Sequence, residues 1–275
     1  MTPVSRISAA FAPKSSRRAA LMPYFTLGYP DRATSLAVVE AIAPYSDLLE
    51  LGVPFSDPLA DGPTIQHSTQ VALEQGVTSR ACLDMVRELR RRGVTPPILL
   101  LGYYNPILAY GEAAYARDAA AAGVDGLIVP DLPPEEADSL VTALTAEGLV
   151  LIHFLAPTSS PDRVRTVLRQ AQGFIYMVSV TGVTGARAQV SANLEQFVRQ
   201  VRAQTDIPLA VGFGVSTPAQ AGQIGQFADG VIVGSALINA VDVAADKPAA
   251  AVQFVQTLAA GLSKPTTHQQ PPTEN

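Results

Sequence analysis

The sequence predicts a closed parallel barrel of eight strand–helix units, a (β/α)8 or TIM barrel, on three observations. Short apolar runs recur eight times along the chain, they lack the polar alternation of half-exposed strands, and amphipathic helical stripes separate them. The runs are 21–27, 48–53, 98–104, 126–129, 150–155, 174–180, 208–213 and 230–233. Strands of a parallel sheet are covered on both faces, so an uninterrupted apolar run is the pattern they need. Ala137, Leu140, Val141 and Leu144 fall at i, i+3, i+4 and i+7; Val164, Val167, Leu168 and Ala171 repeat that spacing, as do Leu194, Phe197, Val198 and Val201. Pro133 and Pro134 ahead of Glu135 and Glu136, and Ser160 ahead of Pro161 and Asp162, predict helix starts. Gly123, Gly148 and Gly173 follow three helices, where a left-handed residue is wanted. Eight such units over about 250 residues fit a closed barrel; an open doubly wound sheet shares the alternation and is the alternative. The barrel is expected to span residues 1–262 as one domain, with extra short helices at its active-site face. Residues 263–275, rich in Pro, Thr and Gln, are expected to form a disordered polar tail outside it.

Composition narrows the function. Of 275 residues, 48% are hydrophobic and 16% charged, enough apolar material for a sizeable core. A formal net charge of -5 offers no basic surface for nucleic acid. Arg87, Arg90, Arg91 and Arg92 read as a solvated helix end answering the helix dipole. Cys82 is the single cysteine, so no intrachain disulfide can form; it reads as a packed small hydrophobe, and a reducing cytoplasm is the expected compartment. Arg6, Lys14, Arg17 and Arg18 are followed by Pro23 and Gly28 rather than an unbroken apolar stretch, so no signal peptide is expected. No apolar run approaches the roughly 20 residues of a membrane span.

In a parallel barrel, chemistry sits where strands end. The second run, Leu48-Leu49-Glu50-Leu51-Gly52, carries a carboxylate among leucines. Burial disfavours its charged form, raises its pKa and makes it a proton donor near neutral pH. A structural glutamate bonded to neighbouring backbone is the alternative. The loop that follows, from Pro54 to Pro63, is shaped by proline and glycine and brings a second carboxylate, Asp61, which by itself also fits a turn or cap. Gly212-Phe213-Gly214 ends the seventh strand; Gly234-Ser235 ends the eighth and opens a short helix. Glycine amides and a helix N-terminus on the last two strands predict a phosphate site. Thr181-Gly182-Val183-Thr184-Gly185 is a third glycine loop able to fold over a ligand. None of the lysines, Lys14, Lys247 and Lys264, ends a strand, so Schiff-base chemistry has no amine. His67, His153 and His268 lack metal-ligand spacing, and no metal is expected. His67 reads as a surface residue and His153 as a core or rim residue.

The block from Leu49 to Pro63, LELGVPFSDPLADGP, closely resembles the signature of tryptophan synthase alpha subunits. The similarity runs from Pro23-Tyr24-Phe25-Thr26-Leu27-Gly28 through Tyr104-Asn105-Pro106, Val129 to Pro133, Ser179 to Gly185 and Gly212 to Gly214, ending at Gly234-Ser235-Ala236. It implies retro-aldol cleavage of indole-3-glycerol phosphate to indole and glyceraldehyde 3-phosphate. It also implies roles. Glu50 would move protons between the C3′ hydroxyl and indole C3. Asp61 would bond the indole N–H, and Tyr176 would stand beside the glutamate. Thr184 would meet the aspartate on closure. Gly185, Gly214, Gly234 and Ser235 would cradle the phosphate, and Phe213, Leu101 and Tyr24 would line the indole pocket. Tyr24 departs from a phenylalanine of some members, and Pro130 from a smaller residue. The resemblance implies no cofactor in this chain, and a pyridoxal-phosphate beta subunit as partner in an alpha-beta-beta-alpha complex. The loops of Asp57, Asn105 and Pro133 correspond to the contact side. A free-standing lyase and a non-catalytic regulatory barrel are the competing readings; joint retention of Glu50, Asp61 and Tyr176 argues against the second.

Overall fold

The computed structural model describes residues 2–12, 19–178, 187–212 and 214–263. Eight strands are hydrogen-bonded in chain order into a closed barrel: β1 (Ala20–Thr26), β2 (Leu49–Gly52), β3 (Ile98–Leu101), β4 (Gly126–Ile128), β5 (Val150–Leu155), β6 (Ile175–Val178), β7 (Leu209–Gly212) and β8 (Gly230–Val233). All eight pairings are parallel, and Ala20 beside Gly230 closes the ring. Closure excludes the open doubly wound sheet.

Side chains alternate across each strand, so register decides what enters the barrel. Met22, Leu48, Leu99, Ile128, Ile152, Ala210 and Ile232 meet in one interior cluster. Their neighbours of opposite parity, such as Phe25, Leu49, Leu51, Leu100 and Leu127, pack outward against the helices. The helix Pro3–Ala10 stoppers the N-terminal end: Ile7 is fully buried in the interior cluster, and the Phe11 ring lies 5.4 Å from that of Phe174.

That end is also laced by charge. Asp47, Asp125 and Asp229 each precede a strand and each accept, at 2.8 Å, an amide at the start of the strand before it, those of Leu21, Ile98 and Leu209. Asp125 is paired with Arg90 at 2.7 Å and Arg6 at 3.1 Å. Arg90 also donates to the carbonyls of Gly123, Val94 and Pro96. The expectation that this arginine cluster is wholly solvated is therefore corrected. Arg90 turns under the barrel because its fork finds a buried carboxylate and three carbonyls there.

Several element ends move. The third strand stops at Leu101 rather than Tyr104, since Tyr104 opens a helix, Tyr104–Tyr110. Pro134–Glu136 form a 3-10 turn, and the α-helix begins only at Asp138. Ser160 caps its helix through the Arg163 amide, and Gly123, Gly148 and Gly173 all have positive φ. Cys82 is buried and His67 exposed. Among the described residues no helix is long and apolar enough to cross a membrane. Ser263 follows the last helix, Lys247–Gly261; the rest of the expected tail lies outside the described residues.

Asp125→Ala strands Arg90 and frees the Ile98 amide, so it should lower unfolding stability by about 3 kcal/mol in urea denaturation. Turnover of the surviving folded protein should be unchanged, because the residue lies at the end opposite the strand C-termini.

Candidate active site

Glu50 shares parity with Leu48, and its register partners are Tyr24 on β1 and Leu99 on β3. The side chain therefore points into the barrel, toward its C-terminal mouth. It is fully buried, and neither carboxyl oxygen has a hydrogen-bond partner among the described residues. The alternative of a glutamate tied to neighbouring backbone does not describe this geometry. Burial alone pushes its pKa well above the usual carboxylate range.

Two phenols frame it. Tyr24 lies over Gly52 of β2 and Tyr176 over Gly212 of β7; a Cβ at either glycine would overlap the tyrosine hydroxyl. Inward glycines at these two strand ends are thus what admits two large rings to the mouth. The Tyr24 ring also borders Gly234, where a Cβ would come within 3.2 Å. Tyr24 so links the strand of the acid to the start of the last loop. Its hydroxyl lies 3.3 Å from Thr26 Oγ1, which lies 2.7 Å from Ser68 Oγ. Burial, with the charges of Glu50 and Asp61 contributing, raises the Tyr176 pKa; burial and then Asp61 do the same for Tyr24. Both remain protonated donors.

Phe154 stands 4.9 Å from Tyr176, ring to ring, and adds an aromatic wall. Sequence analysis missed it, although Val150, Ile152 and Phe154 share one parity and would have marked it as inward. Leu101 lies half-buried at the same rim. His153, of the other parity, is buried on the outer side and lines a cavity of about 260 Å³ with Asp131 and Arg163.

Asp61 is partly buried in the loop between β2 and the helix Pro63–Glu74. Burial raises its pKa to about 6, against an opposing hydrogen bond from Tyr103. At the other side of the mouth, Gly214 has φ +60 with open space around it. Gly234 precedes the helix Ser235–Asp242. The Leu237 and Ile238 amides bond the Gly234 carbonyl, at 2.9 and 3.1 Å. The first-turn amides of Ser235 and Ala236 have no acceptor within the helix and are suited to an anion. Glu50, Asp61, Tyr24, Tyr176, Leu101, Gly214, Gly234 and Ser235 thus share one end of the barrel. Thr184, Gly185 and Phe213 lie outside the described residues.

A parallel eight-stranded barrel with a buried acid beside two phenols at its C-terminal mouth is a barrel enzyme arranged for proton transfer. Comparisons with known proteins specify the kind. The family model of the tryptophan synthase alpha chain matches residues 11–267. A tryptophan synthase alpha chain of Chloroflexus aurantiacus is 48% identical, covering 95% of this chain and all of that one. One from Geobacter sp. (strain M21) is 55% identical over 86% of this chain and 89% of its own. The crystal structure of tryptophan synthase subunit alpha from Legionella pneumophila superposes with a TM-score of 0.87 at 35% identity, covering 95% of this chain and 98% of that one. This chain belongs to the tryptophan synthase alpha chain family, lyases that cleave indole-3-glycerol phosphate to indole and glyceraldehyde 3-phosphate.

Glu50 binds its proton more tightly folded than unfolded, so its contribution to stability is lost as pH rises from about 4.5 toward its folded pKa. Glu50→Gln should flatten that decline. Thermal melts at neutral and alkaline pH should place the variant above the wild type, and a variant that melts lower there contradicts the burial argument.

Proposed function

We propose that the alpha reaction is carried in this chain by Glu50, with Asp61 and Tyr176 beside it and the last two strand ends holding the phosphate. The observation that carries this reading is a carboxyl group buried between Tyr24 and Tyr176 with no hydrogen-bond partner among the described residues. Protonated Glu50 delivers its proton to indole C3, leaving an indolenine with positive charge at nitrogen. Ionised Asp61 accepts the ring N–H and stabilises that charge. Glu50, now a carboxylate, removes the C3′ hydroxyl proton. The O–H electron pair forms the aldehyde, the C3–C3′ bond breaks, and its electrons restore the indole ring. Glu50 ends the cycle protonated, so one group serves as acid and then as base. Tyr24, Leu101 and Phe154 supply apolar walls for the ring, joined in this reading by Phe213. Gly214, Gly234 and Ser235, with Thr184 and Gly185, fix the other end of the substrate.

The family name itself implies a beta-chain partner. We further assign an alpha-beta-beta-alpha complex, with pyridoxal phosphate confined to the beta chain and no cofactor in this one. The reducing cytoplasm as compartment rests on the lone Cys82.

The deciding assay supplies indole-3-glycerol phosphate to the purified chain, with and without a beta subunit, and measures indole. Glu50→Gln should reduce release about 100-fold or more while circular dichroism stays native. Asp61→Asn should lower kcat by a similar factor, about 100-fold, with KM changed less than about threefold. Activity should fall as pH drops below about 6, where Asp61 gains a proton, and again as pH rises through the raised pKa of Glu50, where that group loses its own. Ser235→Ala leaves the backbone donors in place, so it should weaken substrate binding less than about tenfold.

A further inference from the structure

The acidic loop carries Asp61 over the mouth, and among the described residues Tyr103 is the side-chain donor that faces its carboxylate. The main chain of the loop is held by its own turns. The Asp61 amide donates to the Pro58 carbonyl at 3.1 Å, and the Asp61 carbonyl accepts Gln66 Nε2 at 2.9 Å. The residue that reaches across from another strand is Tyr103, two positions past the end of β3 and in parity with Leu99 and Leu101. It is 3% exposed, in extended conformation as the N-cap of the helix Tyr104–Tyr110. The next amide, of Tyr104, is fastened to both Asp131 oxygens at 2.9 and 3.2 Å. Its ring packs on Phe55 at 5.4 Å with a 33° tilt, at the start of the acidic loop. Its hydroxyl accepts the Ala60 amide at 2.9 Å, near the end of that loop. An oxygen that accepts from Ala60 keeps its own proton for another partner, and the carboxylate of the next residue, Asp61, lies close enough to Tyr103 to be that partner.

We propose that Tyr103 is the positioning residue of this site: its ring and hydroxyl span the acidic loop from Phe55 to Ala60, and its hydroxyl proton aims the Asp61 carboxylate that follows. The proposal rests on the role given to Asp61 above. A phenol is suited to the task because burial raises its own pKa, so it donates without surrendering its proton. Among the described residues, the other titratable groups that interact with Asp61 are Tyr24 from β1 and Tyr176 from β6, with Glu50 on β2 acting on both. Asp131 acts on Tyr103. Among the groups that set the Asp61 titration, Tyr103 opposes burial and lowers the pKa. Without it the carboxylate would remain protonated further into the neutral range and could not neutralise a ring cation.

The test is Tyr103→Phe, which keeps the ring on Phe55 and removes only the hydroxyl. Asp61 is followed by carbon-13 carboxyl NMR in the full chain, its signal identified by its loss in Asp61→Asn, alongside kcat and KM against pH. In the variant, Asp61 should titrate about one unit higher and the acid limb of kcat should follow it. At neutral pH kcat should fall about tenfold, with about twofold regained above pH 8, and KM should stay within about threefold. A merely structural role would move stability and leave the titration point where it was. Replacement of Tyr103 by 3-fluorotyrosine, a stronger donor that keeps the hydroxyl, should shift Asp61 the other way and covers the case of a variant that does not fold. An Asp61 titration unmoved by either change, or a Tyr103→Phe enzyme within twofold of wild-type kcat across the pH range, overturns the proposal. A wild-type level of turnover in Asp61→Asn would instead remove the catalytic role of Asp61, while the Tyr103 titration would still report on positioning.

Discussion

Desolvation of one carboxyl group is the constraint on which the rest of the structure depends. Glu50 sits among leucines of β2, and no donor among the described residues compensates it. An ionised carboxylate in such a place costs several kcal/mol, so the group holds its proton instead. This outcome needs walls that stay closed. A paired strand on each side and interdigitated interior side chains supply them, because an interior of that packing density does not relax around a charge. The barrel thereby turns an ordinary glutamate into one that holds its proton well above the usual carboxylate range.

The second carboxylate is placed differently and behaves differently. Asp61 belongs to a loop, keeps some contact with solvent and takes a donor from Tyr103, so its pKa rises only to about 6. Environment alone thus sets the proton affinities of two carboxyl groups at one mouth apart, which is what the proposed division of labour between them requires. The phenols between them stay neutral for the same reason that Glu50 does. Their seats depend on Gly52 and Gly212, where a side chain would occupy the space of a tyrosine hydroxyl.

Stability and chemistry occupy opposite ends of the barrel. At the strand N-termini, three aspartates tie neighbouring strands together, Arg6 and Arg90 flank one of them, and Ile7 plugs the interior. Charges there are paired and extensively hydrogen-bonded. At the C-termini, the acid has no partner among the described residues, and the first amides of the helix after Gly234 have no acceptor within it. Such segregation lets the active-site end keep unsatisfied groups while closure of the sheet is secured elsewhere.

The sequence by itself determined the eight-unit alternation, the parallel sheet and the address of the chemistry, because apolar runs and helical stripes are local patterns with a direct physical reading. It singled out Glu50 as a carboxylate inside an apolar strand and the last two strand ends as glycine-edged. Tyr176 came from family resemblance alone, since a tyrosine in a strand is unremarkable without its neighbours. The stacking of Phe154 on Tyr176, the reach of Tyr103 and the burial of Arg90 were decided only by the tertiary structure. Each depends on register or on contacts between segments far apart in the chain: Tyr103 with Ala60, Phe154 with Tyr176, Arg90 with Asp125. Whether a polar side chain ends in a cavity, on a partner or in water is a property of the closed barrel, because it is the shear between strands that sets which side chains share a layer.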